Sequence, residues 1–272
     1  MKHQNELSIG QWLDILQGRG VLSFSVEQLK QEIVGHTDIA IKRALSRLSS
    51  MGKIVSIHKG YYLILPPQYS IKGVLPPQLY LDAFMRHLKR TYYVSLLNAA
   101  AYHGASHQQP QEYFVTTTFP VIRPTQKKGL KINYVCIKEI PLSLLEMRKT
   151  EAGYLTISNA ALTACDLVQF EKRIGGLQRA VSVLEELVEV IQPTDFTTAL
   201  LKHAHVTTLQ RLGYLVELMG GHQALAEGLF ESMKREKMTL FRIPLKSSKD
   251  AKGFSSDNRW KVIVNNEIDL YE

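Results

Sequence analysis

The segment from Thr37 to Tyr62 constrains this chain more than any other. It opens with a helix start signal: the Thr37 hydroxyl can cap, and Asp38 sets a negative charge at the positive end of the helix dipole. On a helical wheel, Ala40, Ile41, Ala44, Leu45, Leu48 and Met51 fall on one side, and Ile39, Lys42, Arg43, Ser46, Arg47 and Ser50 on the other. Gly52 is placed to end the helix as a C′ glycine. Two short alternating runs follow, Lys53–Ile57 and Tyr61–Leu65, joined by the tight-turn composition His58-Lys59-Gly60. A helix with three cations and two serines on its polar face, followed at once by a small hairpin, is what a winged helix-turn-helix uses to read DNA. A solvated helix face beside an ordinary hairpin gives the same pattern, so the residues upstream carry weight.

Upstream, residues 9–18 place Ile9, Trp12, Leu13 and Leu16 at helical spacing, stopped by Gly18 and Gly20. Residues 21–24 form a short extended segment. Ser25 then caps a second helix, with Gln28 at the capping-box position and Val26, Leu29 and Ile33 facing inward. Gly35-His36 turns into the helix at Asp38. The order helix, strand, helix, turn, helix and two-stranded wing within the first 66 residues fits a winged helix-turn-helix.

Charge agrees with that reading. The net charge is +8, and it is uneven: residues 1–66 carry 8 Lys and Arg against 5 Asp and Glu, residues 67–150 carry 11 against 4, and residues 151–272 carry 14 against 16. Phosphate backbones are the usual partner for such a basic stretch. A hydrophobic content of 45% suits a globular protein. No apolar run is long enough to span a bilayer, and the Lys2-His3-Gln4-Asn5-Glu6 start has no signal-peptide core. Cys136 and Cys165 lack a CxxC or a His at ligand spacing, which points to buried free thiols in a reducing, cytoplasmic compartment.

Pro66-Pro67 and Pro76-Pro77 bracket a linker, residues 67–77, that separates the first domain from residues 78–272. Helices are expected over Gln78–Arg90 and Val94–Tyr102, and strand-like runs over Gln111–Thr118 and Leu130–Ile137. From Ser158 onward the chain reads as mostly helical, over Ala161–Phe170, Leu177–Ile191, Asp195–His203, Thr207–Met219 and His222–Lys237. Two strand-like runs, Thr239–Pro244 and Arg259–Val264, close it. The expected class is α+β, helix-rich: an N-terminal winged helix-turn-helix followed by a larger mixed α/β C-terminal domain.

Catalytic signatures are missing. No GxGxxG, Walker A, GxSxG or HExxH occurs. His203 and His205 stand two residues apart, which on a helix points their rings in different directions. Asp195, Asp257, Glu267 and Asp269 do not form the carboxylate-and-lysine arrangement of a nuclease. Glu185, Glu186 and Glu189 read as a solvated helix face. No cofactor, metal site or enzymatic activity is expected.

Several segments resemble the AbiEi family of antitoxins and transcriptional regulators from the AbiE, type IV, toxin–antitoxin and phage-defence systems. They are Ala40–Leu48 running through Gly52-Lys53-Ile54 to Gly60-Tyr61-Tyr62, then Tyr154–Leu167, Leu209-Gln-Arg-Leu-Gly-Tyr-Leu215 and Trp260-Lys-Val-Ile-Val-Asn265. The stretch 154–167 departs from the family's commoner form, which has Pro-Glu-Arg before the apolar helix. The resemblance implies an N-terminal domain that represses its own operon at inverted repeats in the promoter. It also implies a C-terminal domain that neutralises a nucleotidyltransferase-like toxin without a stable complex.

The candidate DNA-binding residues are Thr37, Ile39, Lys42, Arg43, Ser46 and Arg47 on the helix, with His58 and Lys59 at the wing tip. Ile39 would meet either a thymine methyl or the neighbouring domain. A second basic set, Arg86, Lys89, Arg90, Arg123, Lys127, Lys128 and Lys131, would extend the DNA footprint or bind RNA or an acidic partner. Two other classes stay open: a repressor with a small-molecule-sensing C-terminal domain, and a metal-dependent nuclease using Asp257 or Asp269.

Overall fold

The computed structural model describes residues 7–105, 110–256 and 258–270. The Lys2–Glu6 start and Asp257 lie outside the described residues. In chain order the elements are α1 (Ile9–Gly18), β1 (Ser23–Ser25), α2 (Val26–Glu32), α3 (Asp38–Ser50), β2 (Ile54–His58), β3 (Tyr61–Ile64), α4 (Pro67–Ser70), α5 (Leu81–His87), β4 (Tyr92–Val94) and α6 (Leu96–Tyr102). Then come β5 (Tyr113–Thr118), β6 (Thr125–Lys127), β7 (Leu130–Ile137), β8 (Leu145–Thr150), β9 (Gly153–Ser158), α7 (Ala160–Gln169), α8 (Leu177–Leu187), α9 (Thr198–His203), α10 (Val206–Leu218), α11 (Gln223–Arg235), β10 (Ile243–Pro244) and β11 (Val262–Ile263). The architecture is mixed α and β. Two units emerge, one of residues 1–92, 111–138 and 147–156, the other of 93–110, 139–146 and 157–272.

In the first unit, β1, β3 and β2 form an antiparallel sheet in that order, with Ser23 opposite Leu63 and Ile54 opposite Ile64. Three helices pack on it through Ile9, Trp12, Leu13, Leu16, Leu29, Ile41, Leu45 and Leu48, around Phe24. Each helix start has a reason. Ser8 and Gln11 exchange bonds in a reciprocal capping box at α1. Ser25 accepts from the Gln28 amide, and Thr37 from the Ala40 amide at 3.2 Å. Gln28 does not return its side chain to the cap; it donates to Glu32, whose other oxygen takes the Trp12 indole N–H at 2.8 Å. Met51, expected inside, is 60% exposed, because the chain leaves the helix at Gly52 (φ +68) and the wheel's phase ends there.

Further along this unit, both proline pairs are kept. Pro67 opens the short helix α4, at a position where a missing N–H costs nothing. The helix expected over residues 78–90 resolves into a 3-10 turn at Pro77–Leu79 and then α5, ended by Lys89 in the left-handed region. Strands β5 and β7 pair in parallel from Tyr113 opposite Ile132 to Thr118 opposite Ile137, and β6 folds back on β7.

In the second unit, β4 interrupts the helix expected from Val94: Val94 pairs in parallel with Ile157, a partner 63 residues away that no local pattern reveals. Helices α7 to α11 follow near the expected bounds. The two terminal strands shrink to a parallel bridge, Ile243 opposite Val262 and Pro244 opposite Ile263. Side chains hold the rest of that segment. Gln210 donates to the carbonyls of Phe241 and Trp260, and Asn265 bonds the Lys246 amide and three carbonyls.

Candidate nucleic-acid interface

Helix α3 presents two faces of opposite chemistry. Ile41, Leu45 and Leu48 are buried, whereas Ile39, Lys42, Arg43, Ser46, Arg47 and Ser50 are exposed. Lys42, Arg43 and Arg47 form no ion pair with any described residue. Thr37 is exposed, but its hydroxyl oxygen is engaged as the helix cap. At the same end Asp38 pairs with Lys30 at 2.7 Å, and that hydrogen bond holds its carboxyl below the usual range. Between α2, α3 and the sheet runs an open groove of about 470 Å³, floored by Val26, Ile41, Leu45 and Tyr62 and edged by Lys30, Lys42 and Ser46.

The hairpin tip is tied down on one side. Tyr61 is buried with its ring 5.1 Å from Phe84 and 4.8 Å from His87. The His58 ring lies 5.8 Å from Phe84, and its Nδ1 is 3.2 Å from the Lys59 carbonyl oxygen. Lys59 is exposed. Of the second basic set, three members already have partners. Arg86 pairs with Asp82 at 2.9 Å, Arg90 donates to the Thr118 carbonyl at 2.7 Å, and Lys131 pairs with Glu112 at 2.8 Å. Lys89, Arg123, Lys127 and Lys128 are exposed, Lys128 with its aliphatic stem laid over Gly73. Val34, absent from the candidates, is 82% exposed in the turn before α3; it stands just past the last position of the second helix's periodic pattern, where that pattern has nothing to say.

In the second unit two ionisable groups, Asp166 and Cys165, are buried. Asp166 is buried in α7 and accepts a 2.9 Å bond from the Tyr93 hydroxyl; burial raises its pKa to about 7. Burial also pushes the Cys165 thiol well up, and neither cysteine is in a disulfide. The segment 209–215 serves as a clamp. Gly213 lacks the Cβ that would overlap the Trp260 ring, Arg211 donates to the Pro244 carbonyl, and the Trp260 indole N–H donates to Glu217 at 2.5 Å. Arg259 bonds Glu217 and Glu227 while lying over the Phe230 ring.

Histidine 203 is half-buried at the end of α9, and burial lowers its pKa. The Asp195 carboxylate accepts the Gln192 amide at 2.8 Å, and the backbone of Asp269 bonds Gln178. No cluster of three or more His, Cys, Asp or Glu suited to a metal occurs among the described residues. None of the described helices is long and apolar enough to cross a membrane.

Comparison with protein families matches residues 93–218 to the AbiEi antitoxin C-terminal domain. This stretch is similar to the AbiEi antitoxin C-terminal domain. The match covers less than half of the chain and marks a likeness to the C-terminal domain of AbiEi antitoxins. Two of the resembling segments, 154–167 and 209–215, lie inside it, so the clamp on Trp260 starts from within the matched stretch. Among solved structures, the RV2827C protein from Mycobacterium tuberculosis superposes with a TM-score of 0.68 at 18% identity, covering 93% of this chain and 90% of that one. The chain therefore shares that protein's fold. No curated protein matches the sequence.

Proposed function

We propose that this chain is a DNA-binding antitoxin that represses its own operon. In this reading residues 1–66 are a winged helix-turn-helix, 67–77 connect, and 78–272 neutralise a nucleotidyltransferase-like toxin without a stable complex. One observation carries the DNA-binding part: Lys42, Arg43, Ser46 and Arg47 stand exposed in a row on a helix whose opposite face is locked in a core. The N-terminal residues of such a helix meet base edges in the major groove, and its cations meet guanine or phosphate. Lys59 meets the backbone beside it. The toxin-neutralising part is supported by the AbiEi match over residues 93–218.

The test is a gel shift of the full chain on duplex DNA from its own promoter, titrated with salt. Binding whose logarithm falls linearly with log salt, with half-sites related by an inverted repeat, is the expected result. Absence of binding at low salt rejects the repressor. Replacing Lys89, Arg123, Lys127 and Lys128 together by alanine tests the extended footprint: an unchanged salt slope removes it. Co-expression with the toxin encoded beside the gene tests neutralisation, and co-purification of the two proteins would contradict the absence of a stable complex.

A further inference from the structure

The exposed face of α3 is headed by a residue that can neither pair with a phosphate nor donate a hydrogen bond. Ile39 is 64% exposed in the first turn, one turn before Lys42 and Arg43 on the same face. Local propensity does not account for it, because a β-branched residue in a helix is less favourable than alanine. The turn that delivers α3 repeats the feature. Ile33 is buried, yet Val34 beside it is 82% exposed, just before Gly35 at φ +96. Single exposed aliphatics are ordinary on a protein surface. Two branched ones at the leading end of a helix otherwise lined with cations and hydroxyls match one chemical feature of a major groove, the C5-methyl group of thymine.

We infer that Val34 and Ile39 read thymine methyl groups, and so set which sequences the helix accepts, while Lys42, Arg43 and Arg47 supply charge and guanine contacts. This rests on the DNA-binding reading above. It assigns specificity to side chains that the charge pattern passes over.

The experiment uses the full chain and duplexes that it selects from a random pool, followed by anisotropy titrations in which each thymine is replaced in turn by deoxyuridine. Loss of one buried methyl should weaken binding about fourfold at one or two positions. Ile39→Ala and Val34→Ala, each folded by circular dichroism, should bind thymine duplexes more weakly and lose that discrimination at one position each. Equal binding of thymine and deoxyuridine duplexes by the unsubstituted chain overturns the inference, although DNA binding survives. Failure to select any duplex at low salt overturns the DNA-binding reading itself. Substitutions that leave discrimination intact but abolish self-association in sedimentation also overturn the inference, since the patch then faces a second copy of the chain.

Discussion

The first unit carries 19 Lys and Arg against 8 Asp and Glu, a surplus of +11, whereas the second carries 14 against 17, a balance of −3. The two also place their charges differently. In the first, the cations of α3 and Lys59 are exposed and in no ion pair among the described residues, and the core beneath them is almost wholly apolar. In the second, Arg259 is shared between Glu217 and Glu227, Glu217 also holds the Trp260 indole, and Asp166 is sealed inside with Tyr93. Unpaired surface charge contributes little to stability and much to attracting an opposite charge; buried or bridging charge does the reverse. Substitutions of charged groups should therefore change binding in the first unit and stability in the second.

The largest expected effect tests the second half of that statement. Trp260→Ala removes a fully buried ring and its bond to Glu217, and should cost about 3–5 kcal/mol, read as a lower denaturant midpoint. A change below about 1 kcal/mol would show that the clamp is dispensable.

Next comes Asp166. Burial raises its pKa to about 7, so the folded chain favours the protonated acid. The associated stability is fully present below about pH 4, and is lost as pH rises to about 7, because the unfolded chain ionises first. Asp166→Asn keeps an acceptor for Tyr93 and removes the titration. It should equal the unsubstituted chain near pH 4 and exceed it by as much as roughly 4 kcal/mol at pH 8. Parallel melting curves from pH 4 to 8 check this; a variant that loses stability at pH 8 would mean that the ionised carboxylate is needed.

Smaller effects belong to the first unit and should appear in binding alone. Arg43→Ala should weaken binding to the selected duplex by about 1–3 kcal/mol and relax the preference at one base pair, with the melting temperature unchanged. Lys59→Ala should weaken all duplexes alike and lower the salt slope by about one. If either substitution destabilised the fold instead, the contrast between the units would fail.

Much of the first unit was legible because its information is local. Caps at Ser25 and Thr37, the stop at Gly52 and the period of Ile41, Leu45 and Leu48 are each decided within one helix. Strand β7 was legible to the residue for the same reason. The outward side of α3 followed from the same period, which is why its candidate residues could be named without coordinates. What could not be read depended on distant partners. Val94 is a strand residue because of Ile157, and Arg86, Arg90 and Lys131 are engaged by Asp82, the Thr118 carbonyl and Glu112, so a basic count overstated the free charge of the second cluster. Val34 was missed because exposure in a turn has no periodicity to reveal it.

By itself, then, the sequence determined where the first three helices begin and which side of the third one meets solvent, since caps and 3.6-residue spacing act over a few residues. Only the tertiary structure decided that the Arg-Leu-Gly-Tyr segment seats Trp260, that burial raises the pKa of Asp166, and which cations remain available. Those outcomes depend on desolvation and close packing between residues up to 73 positions apart, as with Tyr93 and Asp166, and neither quantity is encoded in the order of neighbours along the chain.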